Sequence, residues 1–100
     1  MDLGECYLDR LAAEIRHHVG EHLLPDEDSH QLFRHYAVLA FAKGAAVTAS
    51  DVHDSWVAWM CERDPTHPAL VPYSELDPET ARADEPFVSA IREVADAHQG

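Results

Sequence analysis

Four of the six prolines in this 100-residue chain fall between Asp64 and Pro78: Pro65, Pro68, Pro72 and Pro78. A proline ring fixes φ, removes a backbone N–H and pushes the preceding residue towards extended conformations, so no helix crosses this interval. Leu70, Val71, Tyr73 and Leu76 lie among these prolines, and an apolar segment must pack on something. The interval is therefore expected to be an ordered, extended strap laid across helices, and not a linker.

The rest of the chain has helical periodicity. Within residues 3–22, Leu8, Leu11, Ala12, Ile15 and Val19 step by three and four, which places them on one face of a helix that Gly20 and Pro25 bring to a close. The acids of Pro25-Asp26-Glu27-Asp28-Ser29 suit the start of a second helix, where carboxylates meet free amides and the positive end of the dipole. That helix runs through Leu32, Phe33, Tyr36, Ala37 and Ala40 to Lys43-Gly44, and its YAVLAFA stretch predicts burial on several sides. Thr48 and Asp51 have the spacing of a capping box, followed by a stripe of Val52, Trp56, Trp59 and Met60. A last helix carries Phe87, Ile91, Val94 and Ala95; Pro86 places its regular part from Asp84 or Glu85 onward, after a looser turn near Pro78. The expected fold is all-α, one compact domain over residues 1–100, with four helices and the strap between the third and fourth.

Charge excludes several functions. Seven Lys and Arg against nineteen Asp and Glu give a net charge of −12, the wrong sign for displacing counterions from nucleic acid or for docking on an anionic membrane. No run nears the ~18 apolar residues of a membrane span, and the N-terminus lacks the basic and apolar regions of a signal peptide. Two cysteines are too few for a disulfide framework, which points to a reducing cytoplasm.

The stretch from Val52 to Val94 brings a resemblance. His53-Asp54 with Trp56, then His67-Pro68-x-Leu70-Val71-Pro72-Tyr73-x-x-Leu76, then Asp84 ahead of the closing helix, resemble the ryanodine-receptor repeat. The family's G-W-x-Y-G turn is replaced here by the shorter Cys61-Glu62-Arg63-Asp64, and Thr80-Ala81 stand where a Glu-Lys pair is usual. Residues 1–47 have no counterpart in a single repeat; the whole is similar to small actinobacterial and actinophage proteins that join two N-terminal helices to such a half, here residues 48–98. The resemblance implies a non-catalytic regulatory module, with bacterial versions proposed as sensors of nucleotide-derived ligands in conflict systems. In channels these repeats pair about a pseudo-two-fold, so a chain with one repeat half would form a homodimer.

His18 and His22 have the i, i+4 spacing of a metal pair, but no HExxH string or close Cys pair completes a site, so no metal is expected. Cys61 with His53 or His67 would make a thiolate–imidazole couple, although a buried, inert thiol at the end of an aromatic helix is the simpler expectation. No G-x-S-x-G elbow or phosphate-binding glycine loop is present, so neither catalytic residues nor a cofactor are expected. His53, Trp56, Arg63, His67 and Tyr73 are the candidate ligand-binding residues, converging where the strap crosses the third helix. Aromatic walls, imidazoles and a guanidinium would suit a nucleotide-like small molecule, and the same region could instead meet a partner protein, making the chain an interaction adaptor. The same aromatics could instead staple the strap to the core, with His67 capping a carbonyl. The alternative function is an acidic surface that binds a basic protein partner or mimics DNA.

Overall fold

The structure is a computed structural model that describes residues 6–20, 24 and 29–99. Helix α1 spans Tyr7–Val19 and buries Leu11, Ala12, Ile15 and Val19, the face expected from their spacing. Asp9 fixes its start by accepting the Cys6 N–H at 3.2 Å, and Gly20, at φ 94°, closes it. The acidic run expected to open the second helix, residues 25–28, lies outside the described residues, as does His22. Helix α2, His30–Lys43, ends on Gly44 at φ 57° and ψ −136°, a backbone state closed to residues with a Cβ. A 3₁₀ turn over Gly44–Ala46 leads to helix α3, Ala49–Arg63. There Thr48 Oγ1 accepts from Asp51 N–H and the Asp51 carboxylate accepts from Thr48 N–H, so the capping box forms as its spacing implied.

Helix α4 is a single short element, Pro78–Arg82, capped by Asp77, and helix α5 runs over Glu85–Gln99. The proline at 86 thus sits in the first turn of α5, where its missing N–H costs nothing. Among the described residues there is no strand. The four long helices pack round a core whose least exposed large side chains are Tyr36, Phe33, Ile15, Leu32 and Ile91. Helix α2 lies centrally, against α1, α3 and α5. Polar ties fix the connections: Arg92 Nε donates to the Val47 carbonyl at 2.8 Å, and Arg16 reaches Ser29 Oγ at 3.2 Å while covering the Phe33 ring.

Two expectations need correction. The YAVLAFA stretch is not buried all round: Tyr36, Ala37 and Ala40 face the core, while Val38 is 49% and Phe41 56% exposed. A run without polar residues cannot show which of its faces meets solvent; here only the α1, α3 and α5 sides are covered. Nor is the proline-rich segment extended. Residues 64–77 form successive turns: His67 N–H to the Asp64 carbonyl, Leu70 N–H to the His67 carbonyl, and a 3₁₀ turn over Tyr73–Glu75. Proline's fixed φ serves the first corner of a turn as well as it serves an extended chain. Asp64 and His67 favour the turns, accepting from the Thr66 and Ala69 amides. The segment still lies against α3, through His53 and Trp56.

Candidate functional site

The helical spacing of α3 puts His53 and Trp56 one turn apart on the side facing the 64–77 segment. His53 is 2% exposed, and its Nε2 lies 2.7 Å from the Val71 carbonyl. A carbonyl only accepts, so Nε2 carries the proton and donates, and Nδ1 is the atom turned to Asp84. The His53 and Trp56 rings stack, with centroids 5.7 Å apart and planes at 22°. The His67 ring meets Trp56 edge-on at 5.0 Å. His67 Nδ1 accepts the Ala69 N–H at 3.1 Å, which commits that nitrogen's lone pair to the backbone.

These three side chains line a cavity of about 230 Å³, closed on its other sides by Leu32 and Tyr36 of α2, Thr80 of α4, and Asp84 and Phe87 at the start of α5. Asp84 is the acid of the set. Its carboxyl is 17% exposed, and Oδ2 stands 3.8 Å from His53 Nδ1, too far for a hydrogen bond. Among the described residues that buried oxygen has no hydrogen-bond donor. Burial pushes the Asp84 carboxyl up from the ordinary carboxylate range, against the opposing pull of His53. Burial, reinforced by Asp84, also pushes the Tyr36 hydroxyl well up, so Tyr36 stays a neutral phenol.

Three of the five residues singled out from sequence, His53, Trp56 and His67, therefore meet at one cavity. Tyr73 sits behind it, its ring tilted at 60° to His53 with centroids 6.1 Å apart. Arg63 points elsewhere, over the face of Trp59 at 4.4 Å. Tyr36, Thr80 and Phe87 went unremarked as site residues because they come from elements far apart in sequence; Asp84 had a signal, an acid just ahead of the closing helix. Cys61 is exposed and its thiol donates to the Ala58 carbonyl, against the expectation of a buried thiol. His18 is held on α1, Nδ1 at 2.9 Å from the Glu14 carbonyl. Among the described residues, no group of three His, Cys, Asp or Glu side chains is placed to hold a metal ion.

Fold and site together define an all-helical domain with a small, aromatic-walled cavity and an under-solvated carboxylate in its wall. Among the described residues no helix is long and apolar enough to cross a membrane. The model of the family described as a domain of unknown function, DUF7701, matches residues 6–96, and the chain belongs to that family. No curated protein and no solved structure matches it.

Proposed function

We propose that this protein is a non-enzymatic binding module that senses a nucleotide-like small molecule in the cavity between α3, α5 and the 64–77 segment. The observation that carries the reading is the Asp84 carboxylate, buried at one oxygen with no donor among the described residues, beside the Trp56 and imidazole walls. A folded chain that leaves such a group under-satisfied gives up stability that a ligand can return. The resemblance to the ryanodine-receptor repeat supports the same reading, because His53, Trp56, His67 and Asp84 belong to the residues that carry it, and bacterial repeats of that kind are proposed sensors. A homodimer in a cytoplasmic regulatory or conflict system completes the proposal, with molar mass in solution as its check.

A thermal-shift screen against nucleobases, nucleosides and nucleotides tests it. A ligand at 100 times its dissociation constant adds about 2.7 kcal/mol to the stability of the folded form. The shift is expected to disappear in Trp56→Ala, a half-buried position whose loss removes a wall of the cavity and leaves the core residues of α3 in place. A shift of equal size in that variant, or none with any compound, refutes the reading and directs the search to a basic protein partner.

A further inference from the structure

The acid in the cavity wall is Asp84, and the Tyr36 hydroxyl and Trp56 indole beside it are neutral donors. Thr80 Oγ1 gives its proton to Asp77 Oδ2 at 3.0 Å, leaving a lone pair for any newcomer. His67 Nδ1 is already occupied, accepting from the Ala69 N–H. His53 spends its Nε2 proton on Val71 and turns Nδ1 to Asp84. Among the described residues no lysine or arginine lines the cavity.

Size and surroundings narrow the choice further. At about 230 Å³ the cavity falls below the ~300–1,000 Å³ of sites that enclose drug-sized ligands. It has room for a flat base, and the remainder of a larger ligand must lie outside. Outside, across His67, Ala69 and Thr80, it adjoins a second hollow whose charged residues are Glu75 and Asp77. Hydrogen bonds from Thr80 hold the Asp77 carboxyl below its ordinary range, so it is ionised at neutral pH. A phosphate there would face carboxylates of its own sign, on a chain of net charge −12.

We infer that the site selects the amino-bearing edge of an uncharged nucleobase, Asp84 accepting from the ligand's N–H, and that it binds a free base or nucleoside in preference to its phosphorylated form. The inference deepens the proposed function and rests on it. Aromatic walls supply stacking that any base can use, and the carboxylate supplies the requirement for a donor.

Isothermal titration of the purified chain with adenosine, guanosine and cytidine, and with their 5′-monophosphates, tests both parts. The best nucleoside is expected to bind at least tenfold more tightly than its monophosphate, and Glu75→Gln, at an exposed position, to narrow that gap. If adenosine is the best ligand, purine riboside, which lacks the amino group, is expected to bind about tenfold more weakly; inosine makes the same comparison for guanosine. Asp84→Asn, checked for folding by circular dichroism, is expected to lose about tenfold. Equal or tighter binding of the monophosphate overturns the inference while leaving a base-binding site intact. Indifference to the amino group and to Asp84→Asn overturns the role of Asp84. Binding of no compound overturns the inference and the proposed function together.

Discussion

Replacing Asp84 with Asn is expected to stabilise the free protein at neutral pH while weakening ligand binding. The Asp84 side chain is 17% exposed, its Oδ2 has no donor among the described residues, and His53 Nδ1 stands 3.8 Å away. Two effects compete on the carboxylate: burial, which disfavours its charge, and His53, which favours it. Burial is the larger, and the folded carboxyl holds its proton to higher pH than the unfolded chain does. The sign follows from linkage. Between the unfolded and the raised folded pKa, the folded state binds more protons, so stability falls as pH rises through that window. An asparagine of nearly the same shape does not ionise and escapes the loss. An unsatisfied buried polar group costs about 1–3 kcal/mol; because the carboxyl retains some solvent, a gain of about 1 kcal/mol at pH 7 is expected. For a domain of this size that raises Tm by roughly 4–8 °C. Urea titrations of both proteins from pH 3 to pH 8 measure it. The variant's advantage should be near zero at the acid end, grow through the titration of Asp84 and then level off. An Asp84→Asn protein less stable than wild type by 1 kcal/mol at pH 7 would show that the attraction to His53 outweighs burial, and would remove the idea of a carboxylate awaiting a donor.

Three further outcomes follow from single features of the fold. Gly44→Ala forces a Cβ into a backbone state at φ 57° and ψ −136°, and should cost about 1–3 kcal/mol in chemical denaturation. Arg63→Ala removes a cation from the face of Trp59 and should cost only about 0.5–1 kcal/mol, with ligand affinity unchanged; a large loss of affinity would return Arg63 to the binding site. Cys61 is exposed, so a thiol reagent should modify it in the native protein without denaturant, and resistance to labelling would contradict its placement.

Local signals were legible in the sequence because their physics is local. The glycines at 20 and 44, the Thr48–Asp51 box and the delayed start of α5 after Pro78 each announce a helix end with two or three residues. The apolar stripe of α1 did the same for its buried face. Burial of α2 was less legible: the uniform apolarity of residues 36–42 hides a half-exposed face at Val38 and Phe41, where only the edge of Tyr7 meets the Phe41 ring among the described aromatic contacts. The proline-rich interval announced that no helix crosses it, but the choice between turns and an extended path depended on the side chains of Asp64 and His67 bonding back to nearby amides. The site divides along the same line. His53 and Trp56 share a helix and were visible as a pair, whereas the cavity needs Leu32 and Tyr36 of α2, Asp84 just ahead of α5 and Phe87 of α5 to close it. Long-range packing decides that Asp84 is the acid set into the cavity wall, with an oxygen that has no donor among the described residues.

The most direct test of a nucleobase site at this cavity is a ¹H–¹⁵N NMR titration of the wild-type chain with the best-binding nucleoside. Saturable shifts are expected at the Trp56 indole and at the amides of His53, Ala69, Thr80 and Asp84, with the Val38–Phe41 side of α2 left unmoved. Shifts centred on that α2 face, or no saturable shift anywhere, would contradict the account.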